Sequence, residues 1–130
     1  MNSSLEGFLG AVAQRGGYEA QGEAATALRA VLEVLGGHLV GDDRMDLAVL
    51  LPQQCAPLLA EAVPASEPLT PDAFIDAVAA RESGDPTEAR RAVTAVLGAL
   101  SDAVDDALLR RIITQLPPGH AGLFGRTDPH

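Results

Sequence analysis

Apolar residues recur along this chain in steps of three and four rather than in alternation. Ala24, Ala27, Leu28, Val31, Leu32, Leu35 and Leu39 form one such series, and Ala89, Ala92, Val93, Val96, Leu97, Leu100 and Val104 form another with the same internal spacing. Helical geometry places each series on one face of an α-helix. No stretch holds the alternation of a half-buried strand. The pattern predicts four helices in the first half, around Leu5 to Arg15, Ala20 to Val40, Asp42 to Leu51 and Gln54 to Ala62. Four more follow at Pro71 to Arg81, Pro86 to Val104, Asp106 to Leu116 and Gly119 to Phe124.

Boundary residues agree with these spans. Asp85-Pro86-Thr87-Glu88 and Thr70-Pro71-Asp72 each put a capping oxygen before a proline in the first turn. Gly36, Gly37 and Gly41 can end the long helix, with Asp42 or Asp43 as cap of the next. Pro52 and Pro117 stop the third helix of each half. Residues 64–68, which hold two prolines, are the expected connector.

The two halves also share their order of motifs. Phe8-Leu9-Gly10-Ala11-Val12-Ala13 returns as Phe74-Ile75-Asp76-Ala77-Val78-Ala79, Leu51-Pro52 as Leu116-Pro117, and Leu58-Leu59 as Leu123-Phe124. The expected architecture is therefore all-α: two tandem four-helix repeats, residues 1–65 and 66–125, packed about a pseudo-two-fold axis in one domain, with a tail at 126–130. On these motifs the sequence resembles a bacterial all-helical family catalogued as domain of unknown function number twenty-two sixty-seven. The matching pieces are Phe8 to Val12, Ala30 to Leu35, Asp46-Leu47-Ala48 and Leu51-Pro52, then Phe74 to Val78, Ala95 to Leu100, Gln115-Leu116-Pro117 and Leu123-Phe124. Gly37-His38 stands where that pattern has arginine before leucine. The resemblance implies a helical fold and carries over no activity, cofactor or catalytic residue.

Composition narrows the functional classes. The 130 residues are 47% hydrophobic but 3% aromatic, so Ala, Val and Leu must build the core. Eighteen acidic residues against nine basic ones give a net charge of −9, which disfavours nucleic acid and anionic membranes as partners. Every basic residue is arginine, the pattern of a GC-rich bacterial genome. No segment approaches the roughly 18 apolar residues of a membrane span, and the N-terminal residues lack the pattern of a secretory leader. With a single cysteine, Cys55, a cytoplasmic setting is expected.

Candidate chemistry is sparse. His38 with Asp42, Asp43 and Asp46 could hold a divalent ion or act as a base, but aspartates after a glycine turn are what a helix start requires. Cys55 has no electropositive neighbours in sequence and reads as a partly buried, inert thiol. His120 and His130 read as solvated. Arg90 and Arg91, joined by Arg110 or Arg111, could form a small basic patch for an acidic partner or a phosphate, or pair locally with Glu88, Asp102 or Asp106. No metal and no cofactor is expected.

Two functions are carried forward. The first is a non-enzymatic helical module that binds another protein or a second copy of itself, with Leu58, Leu59, Leu123 and Phe124 as apolar contacts. The alternative is a small-ligand-binding protein or simple enzyme with a site between the repeats. That site requires several of His38, Cys55, His120, Arg90 and Arg111 to converge.

Overall fold

Local chemistry sets most helix boundaries in the computed structural model, which describes residues 5–39, 41–62, 69–82, 84–116 and 120–124. Helix α1 spans Leu5–Gly16 and α2 spans Gln21–Gly36. Gly17, with φ of 70°, lets the chain turn off α1 in the left-handed region, and Tyr18 N–H closes the turn on the Ala13 carbonyl at 2.9 Å. Helix α3 is Gly41–Leu50; a 3₁₀ turn at Gln53–Cys55 then leads into α4, Ala56–Ala60. The second half contains α5 (Pro71–Arg81), α6 (Pro86–Ala103), α7 (Asp106–Gln115) and α8 (His120–Leu123). All described regular structure is helical, as the spacing predicts.

Two caps of the second half, Thr70 and Asp85, are those read from sequence, and the structure adds Asp105. Thr70 accepts a hydrogen bond from Ala73 N–H at 3.1 Å, Asp85 from Thr87 N–H at 2.9 Å, and Asp105 from Leu108 N–H at 2.7 Å. In the first half three expectations change. Helix α2 stops at Gly36, four residues before Val40, because a tight turn brings His38 N–H to the Leu35 carbonyl and Leu39 N–H to that of Gly36. Asp42 and Asp43 lie inside the first turn of α3 rather than before it. The closing segment is broken in two, since Pro57 supplies no N–H and starts α4 afresh. The connector at 64–68, Pro117 and the tail at 126–130 lie outside the described residues.

Packing follows from small side chains on the long helices. Ala24, Ala27 and Ala30 on α2, and Ala89, Ala92, Ala95 and Ala99 on α6, are buried and let backbones approach. Helix α1 packs most extensively on α6 and also on α2, while α5 lies against α6 and α2. Helix α4 covers α2, α8 touches α6, and α3 leans on α4 and α7. One hydrophobic cluster runs through all of these, with Leu35 and Leu100 inside it as expected. Gly36 belongs to this packing: a β-carbon there would sit 2.8 Å from that of Ala62 and 3.0 Å from the Leu59 carbonyl oxygen.

Candidate functional site

Helix α3 carries apolar residues on more than one side, and its neighbours cover only some of them. Leu47 and, just beyond the helix, Leu51 point into the core. One step round the helix, Asp43, Asp46 and Leu50 form the row that meets α7. Arg111 of α7 reaches Asp43 at 3.2 Å and Asp46 at 2.9 Å, while Gln115 donates to Asp43. Because Asp43 meets Gln115 near the end of α7, whereas Val49 and Leu50 share a groove with Asp105 and Leu108 at its start, the two helices run antiparallel. On the remaining side, Asp42, Met45 and Val49 are spaced three and four apart and share a face.

That outer face is the unusual one. Met45 is 58% and Val49 65% exposed, and among the described residues these are the large apolar side chains left in solvent. Beside them opens a groove of about 390 Å3 between α3 and α7, with Val49, Leu50, Ala107 and Leu108 as its apolar lining and Asp46, Asp105 and Arg111 as its polar one. A surface of this kind offers both apolar area and charge. Composition and motif order do not single it out. The available signal is that Met45 and Val49 fall off the row that contains Leu47 and Leu51.

Of the arginines that could form a patch or pair locally, Arg90, Arg91 and Arg111 each have a different set of partners. Arg90 faces Asp72 at 3.7 Å. Arg91 donates to the carbonyls of Gly16 and Gly17 at the end of α1, lies over the Tyr18 ring, and approaches Glu88 at 3.5 Å. Arg111 sits between Asp43 and Asp46, and Arg110 is exposed on α7. The local pairing with Glu88 is present, but Asp102 pairs with Arg15 of α1, whose side chain lies across Gly98.

Of the expected apolar contacts, Leu59, Leu123 and Phe124 are core residues with no surface for a partner, and Leu58 is half-buried. Their repeated apolar pairs close the ends of the core. His120 is fully buried, contrary to its expected solvation, because α8 folds it against Phe74 with ring centres 5.5 Å apart. His130 lies outside the described residues. His38 is also structural: its Nδ1 donates to the Val34 carbonyl at 3.0 Å, its Nε2 accepts from Leu69 N–H at 3.3 Å, and its ring stands 5.8 Å from Phe74. Thus His38 and His120 flank the same phenylalanine, while Arg90 and Arg111 are engaged elsewhere. Cys55 is fully buried rather than partly so, and burial pushes its thiol up to about 11.

A second groove holds Tyr18, Glu23, Glu82 and Glu88. Burial, and then the charge of Glu88, hold the Glu82 carboxyl above its ordinary range; burial and then Glu82 do the same to the Tyr18 hydroxyl. Among the described residues no group of His, Cys, Asp or Glu is arranged to hold a metal ion. None of the described helices is long and apolar enough to cross a membrane.

A family model described as Uncharacterized conserved protein (DUF2267) covers residues 6–123, in agreement with the resemblance drawn from the sequence motifs. No curated protein matches the chain.

Proposed function

Because this chain belongs to the DUF2267 family, whose description names no activity, we propose its function from the surface it presents: a helical module that binds another protein through the face formed by α3 and α7. One observation carries this reading. Met45 and Val49 are exposed together on one side of α3 and border an open apolar groove. Full burial of a side chain of this size is worth roughly 1.5–3 kcal/mol, so a partner that covered both would gain appreciably. The contact surface thus moves away from Leu58, Leu59, Leu123 and Phe124. The all-arginine basic set and the one free cysteine support a bacterial cytoplasm as its setting.

The same reading treats the halves as duplicates that have diverged. Its support is a pair of corresponding contacts: Arg15 of α1 crosses Gly98 toward Asp102 on α6, and Arg81 of α5 approaches Glu33 on α2 at 3.7 Å. Arg15 and Arg81, like Gly98 and Glu33, hold equivalent places in the two sequence series.

The test is site-specific photo-cross-linking in cells from position 45, with exposed Ala80 on α5 as control. The expected result is a discrete adduct from position 45 and none from position 80, and an identified partner that binds the purified chain more weakly after Val49→Arg. Equal labelling from both positions, or a partner indifferent to Val49→Arg, would remove this surface from consideration.

A further inference from the structure

Resting on that reading of the α3–α7 face, we propose that its occupant is a basic amphipathic helix. The argument begins with the shape of the site. Two antiparallel helices leave a groove between them whose apolar lining, Val49, Leu50, Ala107 and Leu108, is continuous with exposed Met45 on the same side of α3 as Val49. Such a groove accepts the apolar row of a third helix, with residues spaced three and four apart. Extension of a β-sheet is not the mode of binding here, since the described residues contain no strand and offer no sheet edge.

Charge then selects among helices. Asp42 is exposed at the start of α3, and Asp105 and Asp106 are exposed at the start of α7. The antiparallel arrangement puts these starts at opposite ends of the seam between the two helices, with Asp105 and Asp46 lining the groove and Asp42 one turn beyond Asp46. Carboxylates therefore stand at both ends of the apolar lining. Between them, Arg111 is already matched by Asp43 and Asp46. Across α3, α7 and their caps, Asp42, Asp43, Asp46, Asp105 and Asp106 outnumber Arg44, Arg110 and Arg111, in a chain whose net charge is −9. Lysines or arginines flanking the apolar row of an incoming helix meet this distribution; glutamates or phosphates are repelled by it. A second copy of the chain is disfavoured for the same reason, because each copy brings the same excess of negative charge to the contact.

The test uses a phage-displayed library of a designed helix with a fixed Leu/Ala apolar face and randomised polar positions, selected on the purified full chain and counter-selected on Val49→Arg. Met45 and Val49 are exposed, so circular dichroism should find the variants folded. Enriched peptides are expected to carry net positive charge, with Lys or Arg beside the apolar row. Synthesised and labelled, they should lose on the order of tenfold or more in affinity with Val49→Arg, as expected from forfeiting one buried apolar side chain. Asp42→Lys should weaken them, and higher salt should weaken them further. Neutral or acidic winners overturn the proposed occupant, and so does failure to select any peptide that depends on Val49. So does a second copy of the chain recovered by cross-linking from position 45. If position 45 still captures a distinct protein while no basic helix binds, the interface reading survives and only the occupant falls; if neither occurs, both fall.

Discussion

The guanidinium of Arg91 lies 4.4 Å from the centre of the Tyr18 ring, and the same side chain donates to the carbonyls of Gly16 and Gly17. A residue in the second turn of α6 thus closes the C-terminal end of α1, where carbonyls lack helical partners. The cation also suits the negative end of the α1 dipole. This contact joins segments more than 70 residues apart in sequence, |i−j| being 74 for the Gly17 bond.

Arg91→Ala should therefore cost about 1–2 kcal/mol in urea unfolding, the range of a charged hydrogen-bonded contact reduced for its partial exposure. Arg91→Lys should recover only part, because a single ammonium cannot reproduce the planar fork over two carbonyls and a ring. Equal stability of Arg91→Lys and the unmodified chain would show that charge alone suffices.

Two glycines inside helices give opposite expectations. At Gly36 an added β-carbon meets Ala62 and the Leu59 backbone, so Gly36→Ala should destabilise by about 1–3 kcal/mol through overpacking. At Gly98 the three atoms nearest the added carbon all belong to the Arg15 side chain, 2.8 Å away at Nη1, which can swing aside. Gly98→Ala gains up to about 1 kcal/mol of helix propensity and gives up an exposed ion pair of about 0–1 kcal/mol. Chemical denaturation of the two variants should separate them clearly, and equal destabilisation would contradict the packing described.

Cys55 should resist thiol reagents until the chain unfolds. Its thiol is moved by burial from 9.0 to about 11, which leaves about a hundredfold less thiolate at pH 8, and its burial also blocks access. The folded state holds this proton more tightly than the unfolded chain does. The stability so gained is complete below pH 9 and is lost as pH rises through about 11. Rapid labelling at pH 8 under native conditions would refute the burial.

Glu82 should produce the corresponding effect in the acid range. Its carboxyl is raised by burial and by Glu88, and its Oε1 is buried without a hydrogen-bond partner among the described residues. A raised carboxyl favours the fold while protonated, so this contribution is present below the unfolded value and fades as pH rises through the folded one. Glu82→Gln should raise the melting temperature at pH 7, with the advantage shrinking at pH 4. A difference independent of pH would show that ionisation of Glu82 does not oppose folding.

What the sequence determined by itself are the features that short-range chemistry controls. The spacing of Ala89 to Val104 defines one helical face, and Thr70 and Asp85 cap the helices that follow them, because each bonds a backbone N–H within three residues. Membership of the family was legible for the same reason, since its motifs are local and ordered. Tertiary structure decided where those faces go. It buried His120 beside Phe74, took Leu59, Leu123 and Phe124 into the core, and gave Arg15, Arg91 and Arg111 partners on distant helices. It also left Met45 and Val49 uncovered. Helix α3 is apolar on several sides, so its own pattern permits more than one buried face; only the positions of α4 and α7 determine which one remains in water.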